Sequence, residues 1–160
     1  MNNNENFHQL VSKEKYQVFL FVCPGNIPFN FAAHPWFVIN KQGAISRWEV
    51  LFRKVQRKTS WGHLSMDFFP PFQGVEVFPL SQKYFWKAKL LGHSEGESAK
   101  RMAEFIENSP TTYPYCDTYF LSGPNSNTYA EWVFNNFPEF LAALPWNSFG
   151  KNYRHQSKIR

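Results

Sequence analysis

Cysteine is scarce in this chain, with only Cys23 and Cys116 in 160 residues. Two thiols make neither a disulfide framework nor a zinc cluster, and so low a number suits a reducing compartment. His8, His63, His93 and His155 stand at no ligand spacing from either thiol, so no metal and no other cofactor is expected. Long apolar runs are missing as well. The longest, Val18 to Cys23, falls far short of the roughly 20 residues a bilayer requires. The polar, Asn-rich stretch from Met1 to Gln9 lacks the basic start and apolar stretch of a signal peptide. A cytoplasmic protein without membrane insertion is the expectation. Gly92 to Gly96 (GHSEG) lacks the Gly-Lys-Ser/Thr ending of a phosphate loop. No internal repeat appears.

Acids are outnumbered, 12 against 17 Lys and Arg, for a formal charge of +5. Lys151, Arg154, Lys158 and Arg160, with no acid among the last eleven residues, supply four of those charges. Such a tail can touch nucleic acid or anionic lipid, yet it also serves as a plain solubilising terminus. No helix-turn-helix or zinc-finger pattern accompanies it, so nucleic acid is not the expected partner. A small-molecule or peptide-like ligand is.

Aromatics are abundant: eighteen Phe, seven Tyr and six Trp. A single domain of this length can bury about two-thirds of its unfolded surface, and much of its core should be ring against ring. We divide the chain into a polar leader (1–14), one domain (15–149) and a basic tail (150–160). Tyr16 to Cys23 (YQVFLFVC) reads as a central strand covered on both faces and ended by Pro24-Gly25. Trp36 to Asn40 and Ile45 to Phe52, joined by Lys41-Gln42-Gly43, read as an antiparallel hairpin. Along the second arm Trp48, Val50 and Phe52 share one face; Arg47, Glu49 and Leu51 share the other.

Trp61 to Phe69 carries no clear period. Gly74 to Phe78 reads as a short strand and Lys83 to Leu91 as another. A helix is expected from Ser94, with Ser94 and Glu97 as a capping box and Ala99, Met102, Ala103 and Ile106 inward; Asn108-Ser109-Pro110 should end it. A second helix should begin around 125–128, with Thr128 and Glu131 as its capping box and Tyr129, Trp132, Val133 and Phe137 inward. A short last helix is expected over Glu139–Leu144. The order gives an α+β fold, a largely antiparallel sheet packed against two or three helices.

Gly123-Pro124-Asn125-Ser126-Asn127-Thr128 gathers turn formers, hydroxyls and amides where that second helix starts. A helix's first turn leaves N–H groups unpaired at the positive end of its dipole, which favours a nucleophile's anionic form. Ser126 is the candidate nucleophile, with Asn125 and Asn127 as donors to an oxyanion; the same residues also serve as ordinary helix caps. His34, before Pro35-Trp36 at the mouth of a strand, is the candidate base. Glu49 would orient a base, whereas Arg47 would suit an anion-binding site, and the alternation leaves both open. Trp36 is a candidate ligand contact. Cys116 offers another nucleophile, against its reading as a small buried hydrophobe among tyrosines; Cys23 falls inside the presumed core strand.

His34-Pro35-Trp36, Arg47-Trp48-Glu49, Tyr113-Pro114-Tyr115 and the Gly123–Thr128 segment together resemble a bacterial family known only as a domain of unknown function, over roughly residues 16 to 137. That resemblance implies an architecture and no activity. The order of parts also looks like the circularly permuted papain-like hydrolases and acyltransferases. In those, a His opens a hairpin strand, a polar residue lies on the next, and a Cys opens a late helix. The likeness implies His34 as base, Arg47 or Glu49 as orienting group and Ser126 as nucleophile, with Ser where that group has Cys. Two functions follow: a non-catalytic domain of degenerate papain-like fold binding an anionic or peptide-like ligand, or a serine-dependent amide or ester hydrolase or acyltransferase.

Overall fold

A computed structural model describes residues 3–52, 56–77 and 84–154. The apolar run becomes β1 (Tyr16–Pro24), whose interior residues are all buried. It pairs antiparallel with β2 (Ala33–Lys41), Phe21 opposite Trp36 and Cys23 opposite His34. β2 in turn pairs with β3 (Ala44–Val50) across a two-residue turn. Gln42 and Gly43 both have positive φ there, 53° and 98°, which matches the twist of the flanking strands. The predicted hairpin is present, and β1 is the covered interior strand that its composition indicated.

The stretch without a period splits into β4 (Ser60–Trp61) and β5 (Leu64–Met66), which extend the sheet beyond β3. β6 (Gln73–Glu76) and β7 (Phe85–Lys87) form a separate antiparallel ribbon. β8 (Lys89–Glu95) returns to the free side of β1, giving the sheet order β4-β5-β3-β2-β1-β8. The expected strand over Lys83–Leu91 is therefore two strands in two sheets, hinged near Ala88; Lys83 itself lies outside the described residues. Phe78, at the end of the preceding predicted strand, lies outside them too.

Helices are α1 (Asn3–His8), α2 (Glu97–Glu107), α3 (Ser109–Thr112) and α4 (Ser126–Asn136). Ser94 is not a cap. It pairs with Val18 inside β8, and the residue before α2 is Gly96 at φ 77°, with no side-chain cap. The predicted inward set of α2, Ala99, Met102, Ala103 and Ile106, is buried. Pro110 sits in the first turn of α3, where a missing N–H costs nothing. The expected helix over Glu139–Leu144 does not form. Phe140 and Leu144 are buried without it, so their spacing served packing and not helical period.

Two cores lie on the two faces of the sheet. On one, α2 and α4 close over Val18, Leu20, Phe37, Ile39, Trp48 and Val50. On the other, Phe19, Phe21, Trp36, Val38 and Leu51 pack under the β6–β7 ribbon. Phe7 of α1 meets this second face edge-on at Phe21, 4.9 Å between centroids. The alternation along β3 holds, except that Phe52 is exposed beyond the strand's end. Among the described residues no helix is long and apolar enough to cross a membrane.

Candidate functional site

β3 turns Arg47 and Glu49 toward the second face, and both are fully buried. Glu49 Oε2 accepts from His34 Nε2 at 2.8 Å and from Arg47 Nη2 at 2.8 Å. Arg47 also donates through Nη1 to the Pro70 and Gln73 carbonyls, at 2.7 and 2.5 Å. Its guanidinium lies 4.2 Å from the centre of the Trp36 ring, and Trp36 Nε1 donates to the Pro71 carbonyl at 2.9 Å. Burial works to raise the Glu49 carboxyl, but the Arg47 charge and the His34 hydrogen bond outweigh it, so its pKa is lowered. Glu49 is thus an anion, and an anion on Nε2 fixes the imidazole proton there. Nδ1 of His34 is the ring nitrogen left for other work.

The amino end of α4 comes to the same place. Asn125 is its N-cap, accepting from the Asn127 and Thr128 N–H groups at 2.9 and 3.3 Å, while Thr128 Oγ1 accepts from the Asn125 N–H at 3.1 Å. The capping box is therefore Asn125 with Thr128, not Thr128 with Glu131. The Asn125 amide nitrogen donates to the carbonyls of Phe120, Leu121 and Phe149. Asn127 Nδ2 donates to Phe149 and, at 3.0 Å, to the Ala33 carbonyl, one residue before His34. Thr128 Oγ1 donates to the Gly150 carbonyl at 2.7 Å. Asn127 thus ties the helix start to β2, both amides tie it to Phe149, and Thr128 ties it to Gly150. With two first-turn N–H groups taken by the cap, the Ser126 N–H is the first-turn donor left without a hydrogen bond among the described residues.

A cavity of about 720 Å³ opens where β2 begins, and both His34 and Ser126 line it. That size is in the range of drug-sized ligand sites. Glu49, Arg47 and Trp36 are not among its lining residues; they stand behind His34. The remaining walls are mostly apolar, including Phe29, Leu51, Phe69, Val75 and Tyr119. Among the described residues no Lys or Arg lines it, and Glu76 is its one carboxylate. Ser126 is buried as a residue, and its hydroxyl makes no hydrogen bond among the described residues. Asn127 Oδ1 is likewise buried and without a partner among them.

His34 and Ser126 thus line one cavity, while Glu49 bonds His34 and Arg47, and Arg47 lies over Trp36. The walls were missed by sequence reasoning, since Phe29, Phe69 and Tyr119 come from separate loops with no shared pattern. Cys116 is not at the cavity; its carbonyl accepts from the His63 N–H, and burial raises its thiol pKa. Burial pushes the Cys23 thiol up to about 12, where a thiolate is negligible at neutral pH. Among the described residues no group of three or more His, Cys, Asp or Glu comes together that could hold a metal ion.

Because one amide carries so many contacts, Asn125→Ala should be costly. Loss of a cap is about 1 kcal/mol, and loss of a buried donor to several carbonyls adds about 1–3 kcal/mol. At about 2–4 °C per kcal/mol for a chain of this size, the melting temperature should fall roughly 4–16 °C. Asn125→Ser, which keeps the acceptor and loses the amide, should recover only part of that in the same melting experiment.

A family model described as "Protein of unknown function (DUF3750)" matches residues 16–153, somewhat beyond the expected end at 137. No curated protein and no solved structure matches.

Proposed function

The chain belongs to the DUF3750 family of proteins of unknown function, and we propose that it is a serine-dependent hydrolase or acyltransferase acting on an uncharged acyl ester or amide. The reading rests on one observation: Ser126 and His34 line a single cavity, and an ionised Glu49 holds the imidazole from behind. In this mechanism Ser126 Oγ attacks the acyl carbonyl carbon and its proton passes to His34 Nδ1. The Ser126 N–H steadies the oxyanion. As the bond to the leaving group breaks, His34 returns that proton to the departing alcohol or amine, and the acyl group stays on Ser126. Water or another acceptor then adds to the acyl carbonyl, His34 again taking and returning a proton, and Ser126 is released.

The order of parts supports the likeness to circularly permuted papain-like hydrolases and acyltransferases, with a hydroxyl in place of their thiol. A hydroxyl needs a true general base, and the Glu49–His34 pair is the chemistry that supplies one. A second reading, a non-catalytic binding cavity on the same scaffold, is favoured by one fact: the Ser126 hydroxyl is not hydrogen-bonded to His34. Such contacts commonly tighten only when substrate is bound. The absence of Lys and Arg from the described walls favours an uncharged ligand over an anionic one under either reading.

A fluorophosphonate probe, followed by peptide mass spectrometry, separates the two. The expected result is an adduct on the Ser126 peptide, absent in Ser126→Ala and at least about 100-fold slower in His34→Ala. An unlabelled wild type, or labelling unchanged by Ser126→Ala, leaves only the binding cavity.

A further inference from the structure

We propose that the cavity receives the acyl chain of an amphiphile and that its mouth seats on the lipid surface from which that chain is drawn. This deepens the acyl-transfer reading and rests on it for the chemistry, though not for the binding. The first support is the wall chemistry. The lining is mainly aromatic and aliphatic, beside the polar Asn26, Tyr119, Asn125 and Asn127 and the Glu76 carboxylate, with no cation among the described lining residues. A phosphate or other anion would lose its hydration there with no cation among the described residues to pair with. An alkyl chain gains from the same burial.

The second support is the rim. Ile27, Phe29, Phe52, Phe120, Leu121 and Phe149 all line the cavity, yet each is 41–63% exposed. Phe31, also exposed, bridges two of them edge-on, 6.2 Å from Phe29 and 5.9 Å from Phe149 between ring centroids. Apolar residues gathered at one mouth mark an interaction surface. The same side chains form both rim and wall, so a folded protein covering the rim would also close the cavity to its substrate. A lipid surface covers the rim and supplies the chain together. The net charge of +5 favours a surface with anionic headgroups.

Two measurements test this. With wild-type protein and p-nitrophenyl esters from acetyl to dodecanoyl, kcat/KM should rise by up to about fourfold per added methylene over the first several. With Ser126→Ala, which does no chemistry under the proposed mechanism, the protein should sediment with vesicles of phosphatidylcholine and phosphatidylglycerol at 3:1. Adding Phe29→Glu and Phe149→Glu, at two exposed positions, should weaken that sedimentation at least about tenfold, with the circular dichroism spectrum unchanged as the control for folding. Ester turnover that is flat or falling with chain length overturns the acyl-chain assignment while leaving catalysis intact. Vesicles that fail to bind, or that bind the rim variant equally, overturn the lipid seat. Rim-dependent sedimentation with no turnover of any ester supports the lipid seat and removes the catalytic reading alone.

Discussion

Ser126→Ala is expected to lower kcat on an activated acyl ester at least about 10³-fold, with the melting temperature moved by less than about 2 °C. Loss of the nucleophile from a Ser-His-acid set leaves only what the oxyanion donor and binding supply, so effects of 10³ and far beyond are usual. The small structural effect follows from the hydroxyl's surroundings. It makes no hydrogen bond among the described residues, so removing it strands no partner and deletes one atom from a residue that lines a cavity. A loss of activity accompanied by a large loss of stability would mean that Ser126 is a structural residue. Ser126→Cys sharpens the test. Both native thiols are held above their usual pKa by burial, so rapid alkylation by iodoacetamide would report the new thiol, and it should slow markedly when His34 is also replaced.

Glu49→Gln is expected to cost about 3–5 kcal/mol, because it leaves the buried Arg47 guanidinium without its counter-ion. At about 2–4 °C per kcal/mol the melting temperature should drop roughly 6–20 °C at neutral pH. The pH dependence has a definite sign. Burial raises the Glu49 carboxyl, the Arg47 charge and the His34 hydrogen bond lower it, and the net displacement is below the ordinary value of 4.5. A carboxyl depressed by folding stabilises fully above its unfolded pKa, and that contribution is lost as pH falls through the folded value. The gap between wild type and Glu49→Gln in thermal melts should therefore be widest near neutrality and narrow below about pH 4.5. A gap that is constant, or that widens on acidification, would remove the ionised Glu49 from the account. Catalysis should fail in the same variant, since a neutral amide no longer fixes the imidazole proton on Nε2.

Reading the chain without coordinates succeeded where neighbours in sequence are neighbours in space. The β1 run, the Gln42-Gly43 turn and the two faces of β3 are local patterns, and each was legible. It failed where a distant partner outbid the local signal. Ser94 looks like a cap, yet Val18 holds it in a strand. Phe140 and Leu144 have helical spacing, but the core takes their side chains from an irregular segment. Gly150 opens the segment read as a basic tail, yet its carbonyl is bonded by Thr128. The remainder of that tail, 155–160, lies outside the described residues.

Alternation along β3 determined by itself that Arg47 and Glu49 would face the same way, and the Asn-Ser-Asn-Thr turn determined that a helix would begin there with its first-turn groups in play. Both follow from backbone period and hydrogen-bonding capacity, which act over a few residues. Which of Arg47 and Glu49 meets His34 was decided only by tertiary structure: the carboxylate takes both partners, and the guanidinium backs it. Tertiary structure also turned two candidate oxyanion donors into ties: Asn125 holds the helix to Phe149, and Asn127 holds it to Phe149 and to Ala33 of β2. The cavity itself is legible in no segment, because its walls come from loops far apart in the chain. Their meeting is set by how the two faces of the sheet are covered.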